Sequence, residues 1–267
     1  MTKLYLIEGL PCSGKSTTSR YVARKLAERG HTVQYFDEGT GNHPADYEFH
    51  SYLDLSAMKS LSDELQRKVT SQGAQREDGC IVPLSSFSGE ELDALLPFKL
   101  YDALPWETEK PRMLERWQEF AENAQKEDCI YVFNCVFLQN PMCETMMRFD
   151  FFPEGSFSYI SEIYEIIRPL KPRVIYLQND HIAAAIRQAA QEREGWLSGV
   201  IDYHVNGAYG KRMGAQGFEG YISCLEERQR RELDFLKHLG IPSLILRNPQ
   251  FNWQLSYAAI ENDIEHG

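Results

Sequence analysis

The chain has 267 residues, a formal net charge of -11, 43% hydrophobic residues and 25% charged residues. These are the proportions of a soluble globular chain, long enough for one sizeable core and an inserted subdomain. The acidic balance argues against a nucleic-acid backbone as the main partner, and no apolar run reaches the length of a membrane span. The six cysteines carry no C-x-x-C pair or zinc spacing. With no signal sequence ahead of the first strand, they predict free thiols in a reducing cytoplasm.

In chain order, Leu4-Tyr5-Leu6-Ile7 reads as a strand and Ser16 to Arg29 as an amphipathic helix. Between them stands Gly9-Leu10-Pro11-Cys12-Ser13-Gly14-Lys15-Ser16-Thr17, a match to the phosphate-binding pattern G-x-x-x-x-G-K-[ST] in its strand–loop–helix context. Gly9 and Gly14 let successive N–H groups turn inward as an anion nest, and the helix adds its positive end. Lys15 reaches the outer phosphates and the Ser16 hydroxyl is offered to Mg²⁺. Gly9, Pro11, Cys12, Ser13, Gly14, Lys15, Ser16 and Thr17 are therefore the expected nucleotide-binding set.

His31 to Phe36 predicts a second strand ending at Asp37-Glu38, followed by a loop from Thr40 to Ala45. From about Tyr52 to Asp128 the pattern loosens. Leu55, Met58, Leu61 and Leu65 suggest one helix, Cys80 to Leu84 is a short apolar piece, and Met113, Leu114, Trp117, Phe120 and Ala121 mark another helix. The stretch 52–128 is expected to be a helical insertion forming the pocket for a second substrate, within one domain spanning 1–267. Cys129 to Phe137 is apolar on both faces, as in a helix-covered parallel strand. A helix over 156–167, a strand at Arg173–Leu177, a helix from Asp180 to Arg193, a helix from Gly217 to Leu239 and a strand at Ser243–Leu246 complete the pattern. Strands alternating with helices predict an α/β fold, a doubly wound parallel sheet carrying the phosphate loop.

Ligands of such sheets bind at the carboxyl ends of the strands. Asp37 and Glu38 are thus candidates for a base that takes a proton from an attacking hydroxyl, or for holding Mg²⁺ through water; Asp37, first off the strand, has the better claim. His43 and Asp46 are candidates for the acceptor pocket. Asn134 stands where a metal-linked acid is often found, and Gln139-Asn140-Pro141 offers polar groups at that strand's exit. Arg187 and Arg193, on the helix after Asp180, and Lys211 and Arg212, in a glycine-containing loop, are candidate cations of a lid spanning 187–216. Arg228, Arg230 and Arg231 among glutamates read as a solvated helix face.

The Ile7-Glu8-Gly9 lead-in, Phe36 to Gly41, Pro172 to Leu177 with Asp180 and Arg187, and Phe218-Glu219 with Leu225 to Arg228 together resemble the thymidylate kinase and deoxynucleoside kinase group of P-loop kinases. The resemblance implies a five-stranded sheet, ATP, Mg²⁺, a carboxylate after strand two and lid arginines. It has no counterpart over 52–128, so the acceptor stays open between nucleoside-like and antibiotic-like molecules. The expected function is a transferase moving the γ-phosphoryl of ATP to a small-molecule hydroxyl or phosphate, with homodimerisation open. The alternative is a nucleotide-dependent regulatory ATPase that binds a protein partner. No N-K-x-D motif supports a GTPase.

Overall fold

A computed structural model describes residues 1–266. The chain divides into two compact units, Met1–Glu38 with Gln118–Gly267, and Gly39–Trp117.

The first unit opens with β1 (Leu4–Gly9), α1 (Lys15–Glu28) and β2 (Val33–Phe36). All six residues of β1 are buried, as befits a run of large apolar side chains on both faces.

The second unit begins beyond Glu38 and holds β3 (His50–Asp54), α2 (Leu55–Ser60), α3 (Asp63–Gln72), β4 (Ala74–Arg76), β5 (Gly79–Pro83) and α4 (Gly89–Leu95). The helical insertion expected over 52–128 is instead an α+β body from 39 to 117. Its antiparallel sheet has the order β3-β5-β4, with Leu53 opposite Cys80 and Ser51 opposite Val82. The β3–β5 pairing joins residues far apart in sequence and leaves no local signature, while the neighbouring β4 is a three-residue polar strand that pairs with β5 across Glu77-Asp78 and carries little signal of its own. The helix expected through Leu55 to Leu65 breaks where Leu61 turns extended and the Ser62 hydroxyl caps α3 by accepting the Leu65 N–H. Leu53, Val69, Val82 and Leu95 form this unit's core.

The helix α5 (Trp106–Lys126) leads back into the first unit, which continues with β6 (Ile130–Asn134), α6 (Gln139–Met142), α7 (Pro153–Ile167), β7 (Arg173–Gln178), α8 (Ile182–Glu192), α9 (Trp196–Asn206), α10 (Ala208–Met213), α11 (Gly217–Leu239), β8 (Ser243–Arg247) and α12 (Trp253–His266). The strand expected over 129–137 stops at Asn134, because Cys135 turns left-handed at φ 71°. The glycine loop expected around Lys211 and Arg212 is instead helical, as α10.

The five strands of this unit are all parallel, in the order β2-β6-β1-β7-β8. Helices cover both faces. Val22 and Leu26 of α1 and Ile260 of α12 pack with Ile7, Val132 and Ile175, and each such side chain contributes roughly 1.5–3 kcal/mol on burial. Ile186 of α8 and Tyr221 and Leu225 of α11 form a second cluster with Leu10. This is the α/β architecture of a P-loop NTPase, with the glycine loop on the central strand.

Candidate functional site

The loop's glycines are needed sterically. Gly9 sits at φ 141°, and a Cβ there would lie 2.6 Å from the Leu177 carbonyl oxygen on the neighbouring strand. Gly14 sits at φ 96°, and its Cβ would meet the Trp253 ring at 2.5 Å. Both conformations disfavour any other residue. The Lys15 ammonium donates to the Leu10 carbonyl at 2.8 Å, drawing the loop around its own charge. The Ser13 hydroxyl is buried without a hydrogen-bond partner, so the cradle holds an unmet polar group beside its N–H groups. Gly14 is the cap of α1, whose first turn has no acidic side chain to occupy its free N–H groups.

Beside the loop, the carboxyl ends of β2 and β6 assemble a second group. The Asn134 amide donates to the Ser16 hydroxyl at 3.1 Å and to the Asp37 carboxylate at 2.7 Å. Asp37 also takes a hydrogen bond from Arg20 at 2.6 Å. Partial burial acts to raise the Asp37 carboxyl, but hydrogen bonds from Asn134, Tyr35 and Arg20 outweigh it and hold it below its ordinary value, so Asp37 is a firm anion. Glu38 accepts from the Gln139 amide at 2.7 Å and the Cys135 thiol at 3.2 Å, and lines the cleft that opens on the loop. Of the two carboxylates, the one with the weaker expected claim as base is the one that lines the cleft.

That cleft encloses about 600 Å³ within the first unit. Part of its wall is a polar group that the sequence did not reveal as such. Arg228, expected on a solvated face, is 1% exposed and lines the cleft. Its Nε lies 2.8 Å from Oε1 of the buried Glu232 carboxylate as an ion pair, and Oε2 of that carboxylate accepts from Tyr176 at 2.6 Å. Burial opposes the guanidinium charge, yet Glu232 raises its pKa above the ordinary value. The stripe Tyr221, Leu225, Arg228, Glu232, Phe235 was the available signal, since these positions share one helix face with apolar residues on either side. Arg231 is likewise buried, while Arg230 remains in solvent as expected. Below the cleft, Glu8 is fully buried and accepts backbone N–H groups from Phe137 and Gln139 at 2.8 and 3.2 Å. Burial, then the Glu232 charge, push its carboxyl up to about 7.

His204 of α9 also lines the cleft and is 5% exposed. Its Nδ1 lies 2.8 Å from the Val200 carbonyl, so that nitrogen carries the proton and buried Nε2 is an unmet acceptor. Burial lowers its pKa to about 4, keeping the ring neutral.

The remaining candidates separate. Arg193 lines the cleft, its guanidinium 5.4 Å from the Trp196 ring centre. Arg187 does not; it is 60% exposed, paired to Glu219 at 3.2 Å and over the Phe218 ring. Lys211 is exposed, and Arg212 is engaged by both oxygens of Asp150, so neither reaches the cleft lining. His43 and Asp46 belong to the second unit. There His43 is buried, takes the Ala45 N–H on Nδ1 and is driven to a pKa of about 3 by burial and then by Arg116, while Asp46 accepts from the Tyr101 hydroxyl.

A family model described as "Chromatin associated protein KTI12" matches residues 2–82. That span holds the phosphate loop, Asp37 and Glu38, and nearly all of the second unit's sheet, but less than half of the chain. No curated protein matches the sequence.

Proposed function

We propose that the first unit binds ATP with Mg²⁺ and acts on its γ-phosphate. The observation that carries this reading is the continuous set Ser16–Asn134–Asp37 beside the glycine cradle, with Glu38 facing the cleft. The residues suit the group: an unmet hydroxyl and free helix N–H groups for phosphate oxygens, and Ser16 with the firm anion Asp37 for a divalent ion. The ion, when bound, supplies charge neutralisation across the phosphates. Lys15 supports the phosphates, Arg193 adds positive charge from the cleft wall, and Glu38 takes the proton of the attacking O–H as oxygen bonds to the γ-phosphorus and ADP leaves.

Two fates for the phosphoryl group follow from different observations. The match to a family described as chromatin-associated favours a nucleotide-dependent regulator, in which water is the attacking group and the nucleotide state governs a protein partner. The polar wall formed by Gln139, His204 and Arg228 favours transfer to a small hydroxylated acceptor. ADP release, measured alone and with a panel of nucleosides, nucleotides, sugars and hydroxylated antibiotics, separates them: slow release that no acceptor stimulates supports the regulator, and stimulation by one class supports the kinase. In either case Glu38→Ala should lower turnover about 10²–10⁴-fold, and Lys15→Ala should abolish it. Unchanged turnover in Glu38→Ala removes the base assignment.

A further inference from the structure

The site has a direction across the sheet. Asn134 and Asp37 stand at the ends of β6 and β2, on one side of the central strand, so the metal and the γ-phosphate belong on that side. On the proposed reading, the nucleoside must then lie on the opposite side, over β7 and β8. From β6 to β8 is three strand spacings, about 14 Å, which suits an extended triphosphate and its nucleoside. The Gly14–Trp253 approach brings the segment after β8 directly against the loop.

That segment carries Gln250 and Phe251, both on the cleft wall. The direction of the Gln250 amide is fixed by a chain of bonds. The His181 backbone N–H donates to Asn179 Oδ1 at 2.8 Å, which identifies that atom as the oxygen. Asn179 itself is held through its backbone, receiving from the Gln229 amide at 3.0 Å and donating to it at 2.9 Å. The Gln250 NH₂ donates to the same Oδ1 at 3.1 Å. Gln250 Oε1 is therefore the free end, and it is buried with no hydrogen-bond partner. A buried acceptor in that state calls for an N–H donor. Phe251 is 69% exposed, its ring held edge-on by His181 at 5.1 Å, and so presents a free aromatic face beside that acceptor.

We propose that Gln250 and Phe251 form a base-reading subsite, Phe251 stacking the ring and Gln250 Oε1 accepting from an exocyclic amine. Among purines the base it selects is adenine, whose N6 amine donates where the guanine or hypoxanthine O6 would set oxygen against oxygen.

The test is calorimetric titration of the full chain with Mg²⁺ and, in turn, ATP, GTP, ITP and inorganic tripolyphosphate. ATP should bind at least about fivefold tighter than ITP or GTP. Gln250→Met should abolish that difference, and Phe251→Ala should weaken ATP and ITP alike, with both variants binding tripolyphosphate as the parent does. Equal binding of ATP and ITP by the parent, or an ATP preference that survives Gln250→Met, overturns the subsite while tripolyphosphate binding leaves the phosphate site standing. Failure of tripolyphosphate and every nucleotide to bind overturns both.

Discussion

Arg228→Met tests the buried wall of the cleft. The substitution keeps most of the side-chain volume but leaves the Glu232 carboxylate, itself fully buried, facing an apolar group with only the Tyr176 hydroxyl as support. Removing one partner of such a pair costs about 3–5 kcal/mol, because the charge left behind is neither solvated nor compensated. At about 2–4 °C per kcal/mol for a chain of this size, the melting temperature should fall by roughly 6–20 °C. The double variant Arg228→Met, Glu232→Gln removes the stranded charge and keeps an oxygen for Tyr176, so it should recover most of the loss. Urea unfolding of the full chain, followed by circular dichroism at pH 8, measures all three proteins. A single variant within 1 kcal/mol of the parent, or a double variant as unstable as the single, would refute the argument that the two charges stabilise each other out of solvent.

Three further outcomes can be checked. His204 has its folded pKa lowered to about 4, so its contribution to stability is present above about pH 6.5 and lost as pH falls towards 4. That term is about 3 kcal/mol, and His204→Leu should flatten the acid limb of the urea midpoint, leaving the His43 share. Glu8 has the opposite sign: with its folded pKa raised to about 7, its contribution is present below about pH 4.5 and lost as pH rises through 7. Gly9→Ala should destabilise by at least about 2 kcal/mol, since a left-handed backbone and a clash with the Leu177 carbonyl coincide, and calorimetry should show nucleotide binding lost with it.

The phosphate loop was legible because its chemistry is local: two glycines, a lysine and a hydroxyl at fixed spacing between a strand and a helix. The parallel sheet was legible for a related reason, since each of its strands is a short apolar run bounded by turns. What escaped were features made by distant residues. β3 and β5 pair across more than twenty residues, and neither the polar-rich β3 nor the short apolar β5 names its partner until the two meet. Arg228 looked solvated because its neighbours Glu226, Glu227 and Arg230 are charged, although the helical stripe through Tyr221 and Phe235 places it inward. Asp37 and Glu38 were found together, but their different hydrogen-bond settings depend on Asn134, at the end of β6, and Gln139, which opens α6. The candidate cations Arg187 and Arg193 are six positions apart, one on α8 and the other just past its end, so only the placement of that segment tells which one meets the cleft.

The strand order also sets how tightly each half of the site is held. β1 has ladder bonds on both sides and no exposed residue, so opening it requires disrupting the sheet from the middle. β2 is an edge strand bonded to β6 alone, and its residues are half-buried. Amide exchange should accordingly be slow along Leu4–Gly9 and faster along Val33–Phe36. The cradle for the phosphates is thereby mounted on the stiffest strand, while the carboxylates ride on one that can fray without it. A ligand spanning both would slow exchange chiefly in β2, so the kinetic mark of its arrival would lie in the carboxylate arm and not in the loop that grips it.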